Sequence, residues 1–163
     1  VRLCSSCTFE DPINPLCGWT DVSKGSLMWK RGSNGTLVGT NPRPTFDHTT
    51  YSTSGSYIYL TSSDGTTPNS TARLITSAFR QASSTCRIEF WIYLTGLASN
   101  QLNVMLLTDN QIERATLQRF HYQSMINWTK VNIEIGRVDV PFQIAFDSQR
   151  SITWGSVAIE DTK

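Results

Sequence analysis

Long stretches rich in alanine, glutamate and lysine are missing from this 163-residue sequence. Their absence disfavours long helices. No apolar run approaches the roughly 18–20 residues that cross a bilayer as a helix, so any membrane contact is expected only through a parent protein. Charge is sparse as well: 17% of residues are charged, the formal net charge is +1, and acids and bases are scattered. Without a basic stripe, nucleic acid is not an expected partner. There are only two histidines, His48 and His121, and no Gly-x-Ser-x-Gly elbow. The first residues, Val1-Arg2-Leu3-Cys4, carry no signal-peptide pattern. A secreted origin would therefore imply a removed signal or an excised module.

What the chain does have is serine, threonine and asparagine in quantity, which suits strands and turns. Four cysteines stand at 4, 7, 17 and 86. Cys4 and Cys7 form a CxxC pair, but Cys17 and Cys86 supply no second pair and both histidines are isolated, which argues against zinc. Pro12 and Pro15 follow too soon for the helix that a redox CxxC opens. Disulfides fit better. Three glycosylation sequons, beginning at Asn34, Asn69 and Asn127, also point to an oxidising, extracellular compartment.

Periodicity is strongest after residue 55. Ser56 to Thr61 and Thr71 to Thr76 read as strands. From Cys86 to Leu94 the period is two: Ile88, Phe90, Ile92 and Leu94 share one face, and Arg87, Glu89, Trp91 and Tyr93 the other. Leu102 to Leu107, Val131 to Ile135 and Phe142 to Phe146 alternate similarly, and Trp154 to Ile159 reads as a closing strand. Glycines and prolines make the first fifty residues loop-rich. Short strands separated by turn signals predict a sandwich or barrel, built as one domain over residues 1–163.

The ordered motifs resemble the MAM domain, an extracellular module of meprins, neuropilins and receptor-type protein tyrosine phosphatases. Cys7-Thr8-Phe9-Glu10 precedes Cys17-Gly18-Trp19, and Trp29 follows. Asp47-His48-Thr49 leads into Gly55-Ser56-Tyr57, and Ala72-Arg73-Leu74 precedes Cys86 and Phe90-Trp91-Ile92-Tyr93. Trp128 heads a later strand, Phe142 to Phe146 resembles the family's late strand, and Gly155 to Asp161 its closing signature. The resemblance implies an all-β, jelly-roll-like sandwich of two antiparallel sheets. It implies adhesion or receptor assembly through an extracellular protein ligand or a homophilic contact. It also implies a Cys7–Cys17 disulfide. The chain departs from the family before Trp29, where Gly25 to Met28 replace acidic residues, and at Pro44-Thr45-Phe46, where the family has Gly-Pro. The family's last cysteine is absent as well. Because the family's termini lie side by side, Cys4 is expected to replace it as the partner of Cys86; the competing reading bonds Cys4 to another chain.

Glu10, Asp11, Asp47, Glu160 and Asp161 come from the two chain ends and one loop. If those ends meet, several could face one point, and hard oxygen donors suit calcium. Of the five, Glu10, Asp47 and Asp161 match acidic positions of the family motifs. They are the expected ligands of one structural calcium or sodium ion, with no cofactor required. Asp47-His48-Thr49 superficially resembles a catalytic dyad, but local turn hydrogen bonding is the expected role, and the protein is not expected to be an enzyme. Five tryptophans keep a carbohydrate-binding jelly roll as the alternative. The outer face bearing Trp91 and Tyr93 is expected to be covered by the protein itself.

Overall fold

The structure, a computed structural model, describes residues 6–33, 43–62, 70–96, 101–121, 125–149 and 155–163. Its strands are β1 (Thr20–Asp21), β2 (Leu27–Gly32), β3 (Tyr57–Ser62), β4 (Thr71–Ile75), β5 (Arg87–Gly96), β6 (Gln101–Thr108), β7 (Ile112–His121), β8 (Met125–Glu134), β9 (Phe142–Gln149) and β10 (Gly155–Glu160). They form two five-stranded sheets. The first runs β1-β4-β9-β6-β7 and the second β2-β3-β10-β5-β8. The described pairings between strands are antiparallel. The fold is the all-β sandwich of two antiparallel sheets that the family resemblance implies, and of the sandwich or barrel predicted by the strand pattern it is the sandwich.

Alternation builds the core. Ile88, Phe90, Ile92 and Leu94 of β5 point inward, together with Val157 and Ile159 of β10. From the other sheet come Leu102, Val104 and Leu106 of β6 and Phe142, Ile144 and Phe146 of β9. Trp19 stacks on Phe146 at 4.9 Å, and Phe90 meets Phe146 edge-on at 5.0 Å. These aromatic contacts join the two layers at their centre.

Three strands lie where the sequence shows no alternating run: the two-residue β1, β2 and β7. β2 forms within the loop-rich first fifty residues, and there Leu27 and Trp29 bury on the core side. β7 holds His121 and the polar residues before it. It is an edge strand of its sheet, exposed along most of its length, and among its described side chains only Leu117 and Phe120 reach the core, too few to produce alternation.

The two chain ends meet. Cys7 and Thr162 exchange backbone hydrogen bonds of 2.8 and 2.9 Å, and Glu89 and Lys163 exchange bonds of 3.0 and 2.8 Å. Cys7 is bonded to Cys17, with their Cα atoms 5.7 Å apart. Cys4 lies outside the described residues, and Cys86 is half-buried just before β5. Closing a short loop constrains the unfolded chain, so replacing Cys7 and Cys17 together by alanine is expected to lower stability by roughly 2–3 kcal/mol. Chemical denaturation of the double variant beside the parent chain measures the loss; an unchanged midpoint would contradict it.

Candidate functional site

Beside the meeting of the chain ends, four short segments converge on the outer side of the second sheet. The first holds Phe9 and Glu10. Phe9 is left-handed, with φ 63°, and its ring is wholly inside the core. The next residue turns away: Glu10 Oε1 accepts a 2.5 Å bond from the Ser56 amide. Arg31 of β2 fixes this corner by donating from Nε to the Phe9 carbonyl at 2.5 Å and from a terminal nitrogen to the Glu10 carbonyl at 3.3 Å.

The second segment runs from Arg43 to Ser52 and lies across the outer face like a strap. Asp47, 1% exposed, organises it. Its carboxylate accepts from the Thr50 amide at 2.5 Å, the Thr50 hydroxyl at 2.7 Å and the Ser52 amide at 2.8 Å. This is the local turn bonding expected of the Asp-His-Thr motif. Burial alone would raise the pKa of Asp47, but these bonds outweigh it and hold the carboxyl below its usual range. The third segment passes Gly55, where a Cβ atom would sit 2.0 Å from Asp47 Oδ1. Only glycine leaves room for the carboxylate.

The fourth segment is the end of β10. Glu160 has no exposed surface. It accepts from the His48 amide at 2.6 Å, the Thr49 amide at 2.9 Å and the Thr49 hydroxyl at 2.6 Å. Burial pushes its pKa up and the charge of Asp161 adds to this; the bonds from Thr49 and His48 oppose them, and the result is about 7 instead of 4.5. Asp161, left-handed with φ 51°, takes the Thr49 hydroxyl at 2.7 Å and His48 Nδ1 at 2.5 Å. The His48 ring stacks on Trp91, with centroids 3.7 Å apart. Left-handed non-glycine residues thus border the cluster at Phe9, Tyr51 and Asp161, a form of strain that gathers at functional sites.

The strap also covers the outer aromatic face. Tyr57 is fully buried, and its hydroxyl donates to the Pro44 carbonyl at 3.4 Å. Trp128 Nε1 donates to the Phe46 carbonyl at 2.7 Å. Tyr93 is buried and Trp91, beneath the stacked His48 ring, is half-buried, so the protein itself covers most of this face.

Of the three expected ligands, Glu10 and Asp47 come together, but their third neighbour is Glu160. One oxygen from each of these three lies within 4.8 Å of the others. Asp161 turns instead to His48 and Thr49. The parity of β10 carried this signal: Val157 and Ile159 face the core, so Glu160 faces outward, opposite Trp91 and beneath the strap. Three carboxylates at this spacing, two of them buried, fit a hard cation with oxygen ligands. Asn127 is exposed on β8, while Asn34 and Asn69 lie outside the described residues.

Two outcomes test this geometry. Gly55→Ala must displace Asp47, and by overpacking it is expected to cost about 1–3 kcal/mol in a denaturation experiment. Glu160 holds its proton more tightly folded than unfolded, so the folded state carries more protons between about pH 4.5 and pH 7. Its contribution is complete below that window and lost as pH rises through it. In chelator, the melting temperature of the parent chain should carry this decline and that of Glu160→Gln should lack it. Parallel curves would mean that Glu160 titrates as an ordinary carboxyl.

Comparison with known proteins agrees with this architecture. Human zonadhesin is 29% identical over 102 residues, which is 62% of this chain but 3% of zonadhesin's length. Among solved structures, the K1 cleaved adhesin domain of Lys-gingipain from Porphyromonas gingivalis W83 superposes with a TM-score of 0.56 at 17% identity, covering 96% of this chain and 94% of that one. A structure of carbohydrate-binding modules from the β-sandwich superfamily gives 0.56 at 13%, covering 91% and 57%. At such identities these structures speak to fold alone. The family model "MAM domain, meprin/A5/mu" matches residues 7–163, and the chain belongs to the MAM family.

Proposed function

We propose that this domain is an extracellular protein-interaction module, working in adhesion or receptor assembly as part of a larger secreted or cell-surface protein. The observation that carries this reading is how the polar cluster uses its acceptors. Asp47, Glu160 and Asp161 accept from the backbone and hydroxyl groups of the strap itself, so the site works as a fastening, and docking falls to the exterior. Family membership supports the reading, as do a relative named for adhesion and a neighbour described as an adhesin domain. The Cys7–Cys17 bridge suits an oxidising compartment. The partner is an extracellular protein or a second copy of the domain.

A carbohydrate-binding jelly roll is the second reading, favoured by the open rings of Phe46 and Tyr51. We also infer one structural cation, calcium or sodium, held by Glu10, Asp47 and Glu160, and a second disulfide joining Cys4 to Cys86. Calorimetry with calcium, beside melts with and without chelator in sodium and in potassium buffers, tests the ion; no heat and no shift in melting would remove it. Non-reducing peptide mapping tests the disulfide, and a Cys86 peptide joined to anything but Cys4 refutes it.

Sedimentation of the glycosylated domain is the direct test of self-association. Concentration-dependent dimers support a homophilic contact; a monomer at all concentrations leaves a separate protein as the partner. Saturable, competable binding to one glycan class on an array would overturn the protein-docking reading in favour of the carbohydrate one.

A further inference from the structure

Between the strap and the outer face of β5 and β8 runs a groove of about 400 Å³. Phe46 and Tyr51 stand on the strap side, 49% and 74% exposed. Trp91 and Trp128 are half-buried on the sheet side. Open aromatic rings in a groove need an occupant or remain a liability in water. The chain supplies a candidate: Asn127 also lines the groove.

Asn127 begins the sequon Asn127-Trp128-Thr129, and both Asn127 and Thr129 are exposed. They sit on β8, an edge strand of the second sheet, where the register against β5 shifts between Ile92 and Leu94. The middle residue of the sequon is the tryptophan whose indole nitrogen holds the Phe46 carbonyl. Glycan acceptor, half-buried tryptophan and strap therefore occupy one place.

We propose that this groove is the cradle of the protein's own N-linked glycan, attached at Asn127, with its first sugars lying over Phe46, Tyr51 and Trp128. Sugar rings present apolar C–H faces, and aromatic side chains offer large rigid surfaces for them. A tethered glycan meets these rings at high effective concentration, so even weak stacking is populated. The glycan then clamps the strap to β8 from outside and closes the groove to foreign sugars. Attachment needs passage through a secretory pathway, which the extracellular reading supplies; it does not depend on what the module docks.

The domain should be secreted from a eukaryotic host, and glycopeptide mass spectrometry should find Asn127 occupied. Enzymatic removal of the glycan should lower the melting temperature by about 2–4 °C, the shift expected for one modest interaction in a domain of this size. It should also raise acrylamide quenching of tryptophan fluorescence, because Trp19 and Trp29 are buried while Trp91 and Trp128 line the groove. In Phe46→Ala and Tyr51→Ala, made with the glycan in place, both effects of removal should shrink. An unoccupied Asn127 in secreted protein overturns the proposal. So does an occupied Asn127 whose removal changes neither melting nor quenching. The dimerisation assay for the docking reading is a separate measurement, so the two can fail independently.

Discussion

Glu160 lies at the end of β10 with none of its surface in water, and a buried carboxyl survives there only if its oxygens are satisfied. The strap supplies the donors: two successive amides and a hydroxyl. Asp47 does the same for the strap's own turn. Everything on the outer face follows from these two groups. They fix where the strap lies, which seats His48 on Trp91 and brings the Pro44 and Phe46 carbonyls to Tyr57 and Trp128. A large aromatic surface that would otherwise face solvent becomes a second, smaller apolar layer.

The motifs marking the family map onto this construction residue by residue. Cys7 ties the first segment by disulfide and by pairing with Thr162, Phe9 plugs the core, and Glu10 reaches the Ser56 amide. Gly55 exists for the room that Asp47 needs. Segments far apart in sequence are thus pinned at one corner, and the sandwich is closed there by polar contacts.

Strands with one buried face were legible because burial imposes a period of two. β5, with Ile88 to Leu94 inward, is the clearest case. β7 was not legible, since an exposed edge imposes no such pattern, and β2 was hidden among glycines. At the site, the motifs named Glu10 and Asp47, but the choice between Glu160 and Asp161 depends on which adjacent side chain follows the strand's parity and which turns aside at a left-handed residue. That distinction is made by the backbone, and residue types alone do not carry it. The covering of Trp91 was expected from the cost of exposing it, whereas the identity of the cover required the fold.

The backbone pairing of Cys7 with Thr162 has a mechanical corollary. In an antiparallel pair the incoming and outgoing segments leave on the same side, so a longer polypeptide would enter and exit this module at one point. The body of the sandwich then hangs to one side like a pendant and adds little to the contour length. Tension between the flanks would fall first on this corner, where Cys7 pairs with Thr162 and Lys163 with Glu89.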